Sequence, residues 1–213
     1  ENRVNKCDEK MLCELKELLP CAPHIPINYV PFVCDRPGTY CLVRDLYLPS
    51  DGPAIIVTSS NVEINFENFK ITLSQDFSTG IVITDVENVK VHGGQIEGDL
   101  NLLNQSGIDI FDTASIEITD MYVTNIMNGG VCIVSQNVQF KNVSFENYSL
   151  VQSNYENNIG MLFLGCMEIS IDTVKINNFY LGIVSAFSAN ISINKIDLFI
   201  NLYATDDYSV ACI

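Results

Sequence analysis

The sequence predicts an all-β chain, a parallel β-helix solenoid of about six coils with an N-terminal α-helical cap. Three observations carry that expectation. A glycine or small residue leads a short apolar run at Pro53, Gly80, Gly107, Gly130, Gly160, Gly182 and Ser209, at intervals of 22 to 30 residues. A period of that length marks units that stack on their neighbours. Roughly eight residues after a leader, a polar residue opens an alternating stretch: Asn61-Val62-Glu63-Ile64, Asn88-Val89-Lys90-Val91, Ser115-Ile116-Glu117-Ile118, Asn137-Val138-Gln139-Phe140, Glu168-Ile169-Ser170-Ile171 and Asn190-Ile191-Ser192-Ile193. The alternation has period two, which is the signature of strands, and no helical spacing separates them. Leucine-rich helical repeats are excluded on that ground.

Taken in order, residues 1–35 form the expected Cys-rich cap and 36–213 the solenoid. Residues 7–19 place Met11, Leu12, Leu15, Leu18 and Leu19 on one helical face, with Asp8 able to cap the start and Pro20 to stop it. That helix is expected to plug the first coil; the alternative is a dimerisation helix. Each coil then has a leader strand and the polar-led strand, and a third strand closes most coils, such as Phe69-Lys70-Ile71, Met121-Tyr122-Val123, Val143-Ser144-Phe145 or Val174-Lys175-Ile176. Coils about 4.8 Å apart stack equivalent residues into ladders. The inner ladder is expected to hold Ala54, Ile81, Ile108, Val131, Met161, Ile183 and Val210, beside Ile56, Ile83, Ile110, Ile133 and Phe163. Asn61, Asn88, Asn137 and Asn190 are expected to form an asparagine ladder in one tight turn, where Asn tolerates left-handed backbone. Residues 208–213 begin a seventh coil, so the chain is expected to be a fragment of a longer protein or to have that end covered by a partner.

The opening segment Arg36-Pro37-Gly38-Thr39-Tyr40-Cys41-Leu42, followed by Ala54-Ile55-Ile56-Val57 and Asn61-Val62-Glu63-Ile64, resembles the start of the pectin-lyase-like superfamily. The resemblance covers roughly Arg36 to Ile213 and implies a right-handed winding. The Asp and Gly that many members carry near the Asn-Val strand are replaced here by Ile64-Asn65-Phe66-Glu67-Asn68. Enzymes of the superfamily usually act on polysaccharides. Its lyases use acidic calcium ligands with an Arg or Lys base, and its hydrolases use two or more carboxylates in a groove.

The formal charge is −15, from 26 acidic and 11 basic residues. The three arginines are Arg3, Arg36 and Arg44. A polyanion-binding face needs clustered Lys and Arg, so nucleic acid is not an expected partner, nor is an acidic polysaccharide without calcium. No apolar run reaches transmembrane length. Eight cysteines, five of them between Cys7 and Cys41, point to a stapled cap in an oxidising compartment. Cys34 and Cys41 bracket a Pro-Gly turn and are the expected bridge. Metal binding by the cysteines is disfavoured because no Cys-x-x-Cys pair is present. Cys132, Cys166 and Cys212 are expected to be buried or half-buried thiols. Glycosylation sequons occur at Asn104, Asn142, Asn147 and Asn190, the last placed in the turn ladder. Together these features point to an extracellular, secreted or virion-surface protein.

Asp85 and Asp112 each sit five residues after a leading glycine and should stack, with Asp109 facing outward on the strand that ends at Asp112. Two carboxylates about 5–9.5 Å apart can serve as acid and base, or acid and nucleophile. Stacked carboxylates also recruit cations, which makes Asp85 and Asp112 a candidate calcium site. The bland alternative is that a turn after a strand is a common place for solvated Asp. Glu97 and Asp99 are expected in a solvated turn, and His92 in a structural glycine turn. Lys90, Lys141, Lys175 and Lys195 are scattered outward, without a focused pairing to the acids. In the insertion at 146–158, Tyr148 and Tyr155 are candidate sugar-stacking residues, against the alternative of an ordinary loop.

The expected outward set, Ile55, Val82, Asp109, Cys132, Leu162 and Val184, is a largely apolar stripe about 24 Å long. Such a stripe is a candidate interface for self-association, unless the chain covers it itself. Two functions remain open. One is a structural or adhesion protein such as a viral or cell-surface spike component, with carbohydrate as a candidate ligand. The other is a polysaccharide lyase or hydrolase using Asp85, Asp109 and Asp112, with calcium as its candidate cofactor.

Overall fold

The computed structural model describes residues 24–102, 104–148 and 158–199. These residues form a parallel β-solenoid of eighteen strands, with no helix among them. The expected N-terminal helix at 7–19 and the seventh coil at 208–213 lie outside the described residues.

Two sheets enclose the core. The seven-stranded sheet runs β2 (Phe32–Cys34), β5 (Gly52–Val57), β8 (Ser78–Thr84), β10 (Ser106–Phe111), β12 (Asn128–Ile133), β14 (Ile159–Leu164) and β16 (Leu181–Ala186). The second sheet is built on β1 (Ile25–Ile27), β3 (Gly38–Leu42), β6 (Val62–Asn65), β9 (Glu87–Glu97), β11 (Ala114–Thr124), β13 (Gln136–Glu146), β15 (Met167–Asn177) and β17 (Ala189–Ile193). It also includes β4 (Leu46–Leu48), β7 (Lys70–Leu73) and β18 (Ile196–Phe199). The ladder begins before the boundary expected at residue 36, because β1 already pairs with β3 and β2 with β5.

The expected third strands at 69–71, 121–123, 143–145 and 174–176 are present, the first as β7 from Lys70. In the middle coils the third strand continues the polar-led strand through a bend at Gly93, Asp120, Asn142 or Thr173, each with positive φ. The asparagine ladder also forms. Asn61, Asn88, Ser115, Asn137, Glu168 and Asn190 all have φ between 54° and 59°. Asn88 Nδ2 donates to Asn61 Oδ1 at 3.2 Å, and Asn137 Nδ2 donates to Ser115 Oγ at 3.3 Å. Asn serves here because its short polar side chain tolerates the left-handed region and bonds along the stack.

The inner ladder differs from expectation in two coils. Strand pairing aligns Ile55 with Ile81, Ile81 with Ile108, Ile108 with Gly130, and Gly130 with Met161. The next inner row is Val57, Ile83, Ile110, Cys132 and Phe163. Cys132 and Ile55 are therefore buried, while Val131 and Ile56 face outward. A one-residue slip moves every side chain of a strand to the opposite face. The slip comes from choosing Gly130 and Pro53 as leaders, where Gly129 and Ala54 hold that place.

Backbone crowding shows why the leader must be small. A Cβ on Gly80 would lie 2.6 Å from the Gly107 carbonyl oxygen, one on Gly107 2.5 Å from that of Gly129, and one on Gly160 2.6 Å from that of Gly182. By contrast a Cβ on Gly130 would meet no backbone, only the rings of Phe145 at 3.3 Å and Phe140 at 3.8 Å. Gly129→Ala is expected to destabilise the fold by about 1–3 kcal/mol, the usual cost of overpacking. Gly130→Ala should cost clearly less, and urea titration of the two variants checks the order.

Candidate functional site

Two places on the surface collect chemistry. The first is the acidic set at the edge of the seven-stranded sheet. Thr84 pairs with Phe111, so Asp85 and Asp112 follow in adjacent coils of one turn, as their spacing predicts. Both are exposed, with φ of 55° and 50°. The Asp85 N–H donates to Phe111 O at 3.2 Å, and the Asp112 N–H donates to Ile133 O at 3.1 Å. The same turn continues through Val134, Gly165 and Phe187, all with positive φ. A short polar residue suits this backbone. Among the described residues no group of three or more His, Cys, Asp or Glu side chains converges on one point. Calcium at Asp85 and Asp112 would take most of its six to eight oxygens from elsewhere.

Asp109 lies apart from that turn. It is half-buried at mid-strand on the outer face, paired in register with Val82 and Val131. One carboxylate oxygen accepts the Ser106 hydroxyl in a short hydrogen bond, and the other accepts the Thr79 hydroxyl at 3.4 Å. Burial among apolar neighbours pushes the Asp109 carboxyl up to about 6, against the opposing pull of the two hydroxyls.

The second place is an open groove of about 750 Å³ on the far side of the coil. Its wall includes Tyr47, Thr72, Glu97, Asp99, Asn101, Asn125 and Tyr148. Tyr47 projects from the alternating strand Leu46–Leu48 and is 61% exposed, and Tyr148 is 65% exposed. The Tyr148 N–H donates to Asn125 Oδ1 at 3.2 Å. Burial, the neighbouring Tyr148 and the nearby Glu146 raise the Tyr122 phenol above its ordinary range.

The acids of the groove are fixed by partners. Glu97 takes the Lys70 ammonium at 2.5 Å, which raises the Lys70 amine. Asp99 Oδ1 accepts both the Asn101 N–H at 2.9 Å and its side-chain amide at 2.7 Å. The loop is anchored by buried Gln105. Its Oε1 accepts the Asp99 N–H at 2.7 Å, and its Nε2 donates to Gln75 O at 3.0 Å. Glu97 and Asp99 thus belong to an ordered groove wall. Burial works against ionisation of Glu146, but the Ser144 hydroxyl at 2.5 Å and Lys175 at 3.0 Å outweigh it and lower its carboxyl.

Several expected site residues are displaced. Cys34 is a free, buried thiol, whereas Cys41 is disulfide-bonded, so the Cys34–Cys41 bridge does not form. Cys132 and Cys166 are also free, which puts the partner of Cys41 outside the described residues. The two strands diverge: Cys34 pairs toward Val57 in one sheet and Cys41 toward Asn65 in the other. Asn147 is 1% exposed, and its amide is consumed by the Ile126 backbone, accepting its N–H at 3.0 Å and donating to its O at 3.1 Å. That burial removes it as a glycosylation acceptor. Asn104 and Asn142 are exposed, and Asn142 Nδ2 donates to Asp120 Oδ1 at 2.5 Å. Tyr155 lies outside the described residues. Lys90 and Lys175 are not isolated bases, since they pair with Glu117 at 3.2 Å and Glu146 at 3.0 Å. His92 Nε2 lies 3.1 Å from Glu63 Oε1. Tyr47 and Asn125 carry no motif, and the only sequence signal for Tyr47 is its outward place in Leu46-Tyr47-Leu48.

A carboxyl raised by folding penalises the folded state once it ionises. For Asp109 that penalty accrues as pH rises from about 4, where the unfolded carboxyl titrates, to about 6, and it persists above. Asp109→Asn keeps the shape and is expected to stabilise the protein at pH 7.5 by on the order of 1 kcal/mol, discounted for partial exposure. At pH 4 the variant and wild type should melt alike, and thermal melts at the two pH values check this.

No family model matches the chain, and no curated protein matches it. Among solved structures the chain is similar to full-length tailspike protein 2 from Escherichia coli O157:H7 bacteriophage CAB120, with 14% identity and a TM-score of 0.34. The match covers 83% of this chain and 28% of that one, so the chain spans less than a third of that protein's length.

Proposed function

We propose that this chain is a structural and adhesion element of an extracellular or particle surface, a right-handed solenoid shaft that binds saccharide in the Tyr47–Tyr148 groove. The observation that carries the proposal is the groove itself. Two exposed tyrosines present apolar ring faces, while Asp99, Asn101, Asn125 and Thr72 offer hydrogen-bonding groups between them. Flat ring faces beside fixed carboxylate and amide groups suit sugar rings and their hydroxyls. The acidic wall and the net charge of −15 favour a neutral saccharide over an acidic one. The disulfide at Cys41 agrees with an oxidising location.

A shaft of this kind is proposed to associate with further copies of itself through the outer face of the seven-stranded sheet. The central row there is Ile56, Val82, Asp109, Val131, Leu162 and Val184, flanked by Phe111, Ile133 and Leu164. In β5, β8, β10, β12, β14 and β16 the one ionisable side chain besides the Cys132 thiol is Asp109. Two copies each carrying −15 repel over most of their surfaces, and this face is where they can meet with the least charge. Sedimentation should find an oligomer that Val131→Lys/Leu162→Lys converts to monomer without loss of β structure. A wild type that is monomeric at high concentration overturns this part of the proposal.

The second reading is a polysaccharide-active enzyme with Asp85, Asp109 and Asp112 as its carboxylates and calcium as a candidate cofactor. The near-neutral Asp109 carboxyl favours it, since a general acid works best near the ambient pH. A glycan array read for binding, reducing ends and unsaturated products separates the two. Binding without turnover, weakened about tenfold or more by Tyr47→Ala/Tyr148→Ala, is the expected result. Turnover abolished by Asp85→Asn/Asp112→Asn would instead establish the enzyme.

A further inference from the structure

The corner between the two sheets is lined by a column of small polar residues, Thr113, Ser135, Cys166 and Ser188, one per coil. Ser135 and Ser188 donate their hydroxyls to the carbonyl two residues earlier, at 3.0 and 3.2 Å. Cys166 makes the same kind of approach to Leu164 O at 3.5 Å, but its sulfur also lies 3.4 Å from the sulfur of Cys132. Cys132 is the inward residue of β12, in the row between Ile110 and Phe163. The two cysteines are 1% and 0% exposed. They sit on successive coils and come from opposite sides of the 149–157 stretch.

We propose that Cys132 and Cys166 form a disulfide when the protein folds in an oxidising compartment, stapling two successive coils across the sheet corner. Two thiols at 3.4 Å need only side-chain rotation and a small approach to reach bonding distance of about 2.05 Å. Oxidation breaks two S–H bonds and forms one S–S bond. The two electrons and two protons pass to a small-molecule disulfide such as oxidised glutathione, which leaves as two thiols. The step proceeds by attack of one thiolate on that disulfide, followed by attack of the second thiolate on the mixed disulfide. In the closed corner the hydrogen bond shared by the two sulfurs lowers the Cys166 thiol and raises that of Cys132. Burial makes this a reaction of the folding chain, before the corner closes. Once formed, the bond is shielded by the core from external reductants. The disulfide at Cys41 shows that the fold already accommodates oxidised cysteine, and it supplies an independent marker of the same compartment.

The competing account is that Cys166 is only a serine equivalent, one more small residue bonding the carbonyl two positions back. Cys166→Ser separates the two, because it keeps that hydrogen bond and removes the staple. The protein is refolded with reduced and oxidised glutathione, denatured, alkylated with iodoacetamide and mapped by mass spectrometry. A Cys132–Cys166 linked peptide, two mass units below the sum of its parts, is expected, with the Cys34 peptide alkylated as an internal control. Without reductant, wild type should melt roughly 5–10 °C above Cys166→Ser, as expected for closing a loop of this length. After both proteins are reduced in denaturant and refolded with reductant present, the gap should vanish. Full alkylation of Cys132 and Cys166 in refolded wild type overturns the proposal, and so does a linked peptide joining either to another cysteine. The peptide map is made on wild type, so it decides the matter even if the variant does not fold.

Discussion

Successive coils touch backbone to backbone at a column of small residues, Ala54, Gly80, Gly107, Gly129, Gly160 and Gly182, and the ladders of the solenoid take their register from that column. At Gly80, Gly107, Gly129 and Gly160 there is no room for a side chain, because the next coil's carbonyl occupies the space that a Cβ would need; Ala54 carries a methyl group at that place, and a Cβ on Gly182 would meet the Leu198 side chain. With that contact in place, the next residue of the leader strand points inward, the one after it points outward, and the rest of the coil follows. The inner rows then fill with Ile, Val, Phe and Met, whose burial supplies the main favourable contribution to folding.

The same register separates the surface into regions of different character. Outward positions of the seven-stranded sheet form a nearly uncharged apolar face. Outward positions of the second sheet carry the Lys–Glu pairs Lys70–Glu97, Lys90–Glu117 and Lys175–Glu146, along its rows. Cross-strand pairs of opposite charge on exposed faces contribute modestly to stability. Their larger effect is to neutralise bases that would otherwise be free beside the acids. Asp109 is the exception on the apolar face, and its hydroxyl partners Ser106 and Thr79 are what make a carboxylate tolerable there.

The corners perform the remaining work. Each corner must satisfy backbone groups that neither sheet pairs. The chain does so with positive-φ Asn, Asp and Gly, with the Asn61–Asn88 and Ser115–Asn137 bonds, and with buried amides such as Asn147 and Gln105. Gln105 and Asn147 are structural pins: one anchors the loop that carries Asp99, and the other clamps the corner beside Tyr148. The groove therefore depends on buried polar contacts at the corners as much as on its own exposed residues.

Much of this was determined by the sequence alone. Period-two alternation, the repeat of small leaders and the Asn-led strands establish a parallel solenoid, because they are local consequences of strand geometry and of the left-handed turn. The stacking of Asp85 on Asp112 followed from equal spacing after their glycines. Where local signals tie, only the tertiary structure decides. Gly129-Gly130 offers two leaders, and the coil-to-coil carbonyl contact selects the first, which turns Cys132 inward and Val131 outward. Asn147 matches a glycosylation motif, yet the corner needs its amide for the Ile126 backbone. Cys34 and Cys41 are close in sequence but enter different sheets. Tyr47 and Tyr148 are 101 residues apart and share a groove only because the three coils between them stack in register. Sequence spacing reports the period along one coil; which atoms meet across coils is set by packing, and the groove, the apolar face and the Cys132–Cys166 contact all lie across coils.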